Sequence, residues 1–242
     1  MKCPKCGAEQ SSNTICEICG IVFEKYYKYH PRPGDAPLPI VHRHRKTDDD
    51  RRIAELFLPA RQTGDPVALV ARAVLLAVLL VWGLQLSMAS VASNAAGESF
   101  LHLVNLPFHE FGHILFRPFG QFMASLGGTL GQLLMPLICF GTLLISTRDP
   151  FGASVALWWL GENFLDIAPY INDARAGQLP LLGGNFGHSA PYGFHDWEYI
   201  LTESGLLHLD QALARTSYLI GTLIMLAALA WGAILLYRQH RQ

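Results

Sequence analysis

Charge is what this chain has least of. Lys, Arg, Asp and Glu make up 15% of its 242 residues, against about 25% in an ordinary soluble domain. The deficit is local, because residues 67–146 hold only Arg72, Glu98, Glu110 and Arg117. Uncharged runs of 25, 30 and 22 residues cover 73–97, 118–147 and 216–237. A helix needs about 20 apolar residues to cross a bilayer, so each run can hold a span. A soluble globular enzyme and a disordered chain are thereby excluded. An excess of either sign is also missing: the formal net charge is −1, which argues against nucleic acid held by overall field, and no nucleic-acid partner is expected. Cysteine is scarce as well. Four of the five fall within the first 19 residues, which leaves no framework for a secreted disulfide scaffold. No internal repeat is visible. What remains is an all-α polytopic membrane protein with a small polar head.

The head is read from Cys3, Cys6, Cys16 and Cys19, spaced C-x2-C-x9-C-x2-C. Each C-x2-C pair can fold as a tight knuckle with both thiolates turned inward, and two knuckles complete a closed tetrahedral zinc site. Gly7 and Gly20 follow the second cysteine of each pair, where a knuckle often needs positive φ. A redox or disulfide pair is the competing reading. No signal peptide is expected ahead of the knuckles, and zinc-binding thiolates imply a reducing compartment. The stretch CPKCG…CEICGIVFEKY resembles the small zinc ribbons of many bacterial proteins. That resemblance implies a structural zinc over residues 1–29 and leaves open a protein partner of the ribbon.

Residues 30–66 read as a linker, with Pro31, Pro33, Pro37 and Pro39 followed by HRHRKTDDDRR. Such a segment buries too little apolar surface to fold alone. Its basic run could bind RNA or lipid headgroups, but Asp48–Asp50 interrupt it, and a solvated juxtamembrane linker is the simpler reading. Arg43, Arg45, Lys46, Arg51, Arg52 and Arg61 all precede the first span, so the amino terminus is expected on the cytoplasmic side. The membrane domain then occupies 67–242, with spans over about 67–91, 100–116, 129–146, 151–170 and 216–237. Five full crossings would place the tail YRQHRQ outside, against the positive-inside tendency. About 4–5 transmembrane helices are therefore expected, with a re-entrant stretch between Phe100 and Gly131 as the way to reconcile the count. A polar loop rich in glycine and histidine covers 172–215.

The chemistry concentrates in His109-Glu110-Phe111-Gly112-His113. Helical positions i and i+4 share a face, so both imidazoles can reach one metal. Glu110 stands beside the first of them, where its carboxylate can take a proton from a metal-activated water. Chance alone produces such a match in a chain of this composition with roughly 1–2 per cent probability. Ionisable groups inside an apolar segment are costly, however, and usually mark a functional path. A polar cluster that only joins helices is the bland alternative.

FHEFGH within a membrane segment resembles the site-2-protease group of intramembrane zinc metalloproteases, and the following FRPFGQFMASLGGTLGQLLMP is similar to the glycine-rich segment after their zinc helix. The resemblance covers about residues 100–173. It implies that His109 and His113 bind zinc, that Glu110 activates water, and that an aspartate on a later helix, typically in an LDG motif, is the third ligand. Here that place is held by Phe164-Leu165-Asp166-Ile167.

The residues themselves supply three candidates. Glu162, Asp166, Tyr170 and Asp173 recur at helical spacing and form one polar stripe. Glu162 and Asp166 lie well inside the span and Asp173 near its end, where Arg175 offers it an ion pair; the candidates rank Asp166 first, Asp173 second and Glu162 third. The remaining acids suit a role behind the ligating histidines. Asn163 lies near the same face and could hold a substrate backbone, or merely join helices. In the loop, His195 is a candidate fourth ligand or a group over the site, although a helix start with Asp196 as N-cap fits the same residues. Gly127 and Gly131 make a GxxxG spacing that suits close helix packing, and Cys139 reads as a small core residue. The leading expectation is a zinc-dependent intramembrane endopeptidase of a bacterial inner membrane, holding one catalytic and one structural zinc and acting on a membrane-protein substrate. A non-catalytic zinc-binding sensor or adaptor, and a zinc hydrolase acting on lipid-linked substrates, are the alternatives.

Overall fold

The computed structural model describes residues 1–32, 54–59, 65–182 and 184–241. The chain divides into two units, Met1–Asp49 and Asp50–Gln242. The basic run and its aspartates, Arg43 to Arg52, and Arg61 lie outside the described residues.

In the first unit the two knuckles repeat one hydrogen-bond pattern. The N–H of Gly7 donates to Cys3 O and that of Gly20 to Cys16 O, both at 2.9 Å. Gly7 and Gly20 adopt φ of 77° and 71°, the left-handed conformation that glycine takes without a Cβ penalty. Isolated bridges Lys2↔Glu9 and Ile15↔Val22 close across the two knuckles, and α1 (Phe23–Tyr29) packs Phe23 against Cys3 and Cys16. The four Sγ atoms lie within 4.8 Å of one another. Cys3–Cys19 and Cys6–Cys16 are each 3.7 Å apart. A tetrahedron with Zn–S bonds of 2.3 Å has edges of about 3.8 Å, so the sulfurs stand at metal-ligand spacing and too far apart for a disulfide. Burial opposes ionisation of Cys3, but the backbone N–H groups of Cys6 and Lys5 outweigh it and hold its thiol down at about 6. The four sulfurs stand where they could hold one metal ion.

The second unit is a bundle of α2 (Pro66–Met88), α3 (Phe100–Phe116), α4 (Gln121–Gly141), α5 (Pro150–Asn172), the short α6 (Asp196–Glu203) and α7 (Asp210–His240). Three stretches are long and apolar enough to cross a membrane: Pro66–Met88, Gln121–Ser146 and Leu207–His240. Their windows are only 11%, 28% and 33% buried within the protein, leaving apolar outer faces suited to lipid. At 17 residues, α3 is about 26 Å long, short of the roughly 30 Å hydrocarbon core. The central helix is α5, buried on nearly every side.

Helix directions follow from their end contacts. Arg72, near the start of α2, reaches Gln239 at the end of α7 (3.2 Å) and Asp149 at the start of α5 (3.5 Å). At the far end, the Tyr218 hydroxyl in α7 meets the carbonyls of Leu86, in the last turn of α2, and of Ala89, just after it. So α2 and α5 run one way and α7 the other. Trp158, Leu165, Met225, Leu79 and Leu86 fill the core among them.

Glycines set two close crossings. A Cβ on Gly161 would fall 2.7 Å from Gly221 O, so α5 and α7 meet backbone to backbone. Between α3 and α4, a Cβ on Gly112 would strike the carbonyl of Gly127, and one on Gly131 that of Phe108. The GxxxG pair therefore packs as its spacing suggests, and its partner is the glycine inside HEFGH.

Candidate metal centre

This close crossing puts the histidines of α3 against α4. His109 Nδ1–H donates to Gln132 Oε1 at 2.8 Å, and His113 Nδ1–H to the carbonyl of Ala124 at 2.8 Å. Both partners are carbonyl oxygens, which only accept, so each ring carries its proton on Nδ1 and leaves a lone pair on Nε2. Both Nε2 atoms face one carboxylate oxygen, Asp196 Oδ2, at 3.3 and 3.4 Å. Three acceptors converging in a half-buried place repel one another unless a proton or a metal cation lies among them. Zinc with bonds of about 2.0–2.1 Å spaces its ligands at about 3.3–3.4 Å. The geometry fits that ion.

Gly128 makes room for it. A Cβ there would sit 2.5 Å from His109 Nε2 and 2.7 Å from His113 Nε2, in the space toward which the lone pairs point. Gly128→Ala is expected to weaken zinc binding at this site about a hundredfold, at the upper end of effects that spare the ligands themselves. Gly141→Ala, where nothing lies within 4 Å, is the control and should leave affinity unchanged in a zinc competition titration.

The third acid differs from the one expected. Asp166, which the sequence ranks first, turns its carboxylate to His102 Nδ1 (2.9 Å), Asn105 Nδ2 (3.0 Å) and Gln132 Nε2 (3.2 Å). It stands behind Gln132, which in turn orients His109. Asp173 is spent on the loop, accepting from the N–H groups of Gln178 and Leu179 at 2.9 Å each. Arg175 pairs with Asp210 at 2.7 Å instead. Glu162 is fully buried against Asn105 (3.0 Å). Asn163 accepts from Gln132 Nε2 at 3.2 Å and donates to Trp159 O, so it joins helices and does not face the cavity. His195, not Asp196, is the N-cap of α6: its Nδ1 accepts from Glu198 N at 3.2 Å. Its other nitrogen faces Asp173 at 3.5 Å, and its ring lies 4.3 Å from that of Tyr170, so the metal cluster is completed without it.

Asp196, in the first turn of α6, is fixed by Tyr170, whose hydroxyl accepts from Asp196 N at 3.1 Å and donates to Oδ2 at 3.5 Å. The signal for it was present but weak: an acid at a helix start in a histidine-rich loop between spans. The centre opens into a cavity of about 490 Å³ that Glu110, His102, Thr129, Leu106 and Phe194 also line. Glu110 thus shares the cavity with the two imidazoles and the carboxylate of the cluster. No family model, no curated protein and no solved structure matches the chain.

Proposed function

We propose that the chain is a zinc-dependent endopeptidase that works within a bacterial inner membrane. The observation that carries this reading is the convergence of His109 Nε2, His113 Nε2 and Asp196 Oδ2 on a cavity that also holds Glu110. When bound there, zinc would lower the pKa of water towards neutrality and polarise a carbonyl. The rest is the work of this chain's own groups. Glu110 takes the proton of the attacking water and returns one to the leaving amine. Gln132 and Ala124 keep both imidazoles in the ligating tautomer. Tyr170 holds Asp196 in place. Leu106, Ile167, Leu181 and Phe194 wall the cavity with apolar surface, which suits a substrate drawn from a membrane helix. Such a helix must unwind to present its peptide bond, since its amides are shielded while helical.

The topology that supports this reading has four crossings, α2, α4, α5 and α7, with α3 re-entrant. Both termini then lie on the cytoplasmic side, in keeping with the basic residues before the first span and with Arg238 and Arg241 at the tail. The metal centre falls in the outer half of the bilayer.

Metal removal tests the reading. Treating the purified protein with a strong chelator should abolish cleavage of a single-span membrane substrate, and added zinc should restore it. The full protein should hold about two zinc ions per chain. Changing Cys16 and Cys19 to Ser should leave about one, with cleavage retained. Cleavage that survives complete removal of zinc would sink the proposal.

A further inference from the structure

The cavity extends past the metal centre along α3. His102, Leu106, His109 and His113 follow one another at steps of four, three and four residues, and all line it. At 1.5 Å per residue, His102 lies about 10 Å along the axis from His109. That distance keeps it off atoms reacting at the centre, and it matches about three residues of an extended chain.

His102 is held from behind. Its Nδ1–H donates to Asp166 Oδ1 at 2.9 Å, and its side chain is 38% exposed where that of Asp166 is 2%. Asp166 Oδ2 is tied in turn to Asn105 (3.0 Å) and Gln132 (3.2 Å). With Nδ1 satisfied, Nε2 is the polar atom the ring can offer to the cavity. An apolar group laid against it would strip its water and give nothing back, whereas a polar group would pair with it.

Resting on the peptidase reading, the geometry points to His102 as a substrate-binding residue, with Asp166 as the positioning residue that fixes its ring. The substrate class is an extended peptide carrying a hydrogen-bonding side chain about three residues from the hydrolysed bond.

Peptide hydroxamates, which anchor on zinc, are the probe. The zinc-loaded full-length protein in detergent is titrated calorimetrically with hydroxamates of increasing length, extended in either chain direction, with Asn or Leu as the third residue. Asn should bind about tenfold more tightly than Leu, the worth of one hydrogen bond, in one direction only. The preference should vanish in His102→Ala and shrink in Asp166→Asn, each read against the same protein's affinity for the one-residue hydroxamate, and zinc content reports that each is folded. An Asn preference that persists in His102→Ala, or none in the unaltered protein, overturns the subsite and leaves the peptidase reading standing. Failure of even the one-residue hydroxamate to bind overturns both.

Discussion

Asp196→Ala should empty the membrane metal centre, while Asp166→Ala should leave it filled. The two histidines present lone pairs to Asp196 Oδ2 at 3.3 and 3.4 Å, so removing that carboxylate leaves a two-ligand site. Zinc in such centres keeps three protein ligands. Asp166 acts one step further out, through the Gln132 amide, and losses at that remove typically cost 10–100-fold in affinity. The Asp196 variant should lose more than that. Zinc competition titrations in a Cys16→Ser, Cys19→Ser background count this centre alone. Glu162→Ala should also retain the metal. The opposite ranking, with Asp166→Ala empty and Asp196→Ala filled, would return the third-ligand role to α5.

Glu110→Gln should keep zinc and lose hydrolysis. The amide has nearly the shape of the carboxylate but cannot accept the proton, and general-base loss typically costs 10²–10⁴ in rate. Glu110 lies in the same cavity as the cluster without being one of its members, so the metal content should be unaltered. Turnover at the normal rate in a membrane-embedded cleavage assay would take the general-base role from Glu110, whereas no turnover by the unaltered, zinc-loaded protein would end the peptidase reading and favour a zinc sensor.

Much of the architecture could be read from composition. The helix over Phe100–Phe116 coincides with the expected segment, because an apolar run bounded by Ser99 and Arg117 leaves little freedom in its ends. The knuckle glycines were legible from position alone, since their conformation is a local matter. The acid that meets the two histidines was not legible. Ranking by depth assumed that the ligand had to come from a span, and it confined the choice to one stripe of α5. That stripe is real, but its acids serve His102, Asn105 and the loop. Asp196 comes instead from a segment whose own pattern says only that a helix begins there. The contact depends on how the chain after α5 folds back over α3, held by Asp173, His195 and Tyr170, and no local periodicity encodes that. Asn163 follows the plainer of its two readings and joins helices, because packing turns its amide towards Gln132.

The burial of α5 bears on how the protein is made. Glu162, Asn163 and Asp166 sit within this helix, all buried, and an acid at a helix centre costs about 2.5–3.5 kcal/mol on insertion. Alone in lipid, α5 would carry those groups unmatched. Its neighbours supply the remedy: Asn105 and Gln132 come from α3 and α4, already synthesised, whereas Gly221, against which Gly161 closes, is still to come. On the four-crossing topology proposed above, integration of α5 would therefore be a cooperative event, completed when Gly221 of α7 closes against Gly161.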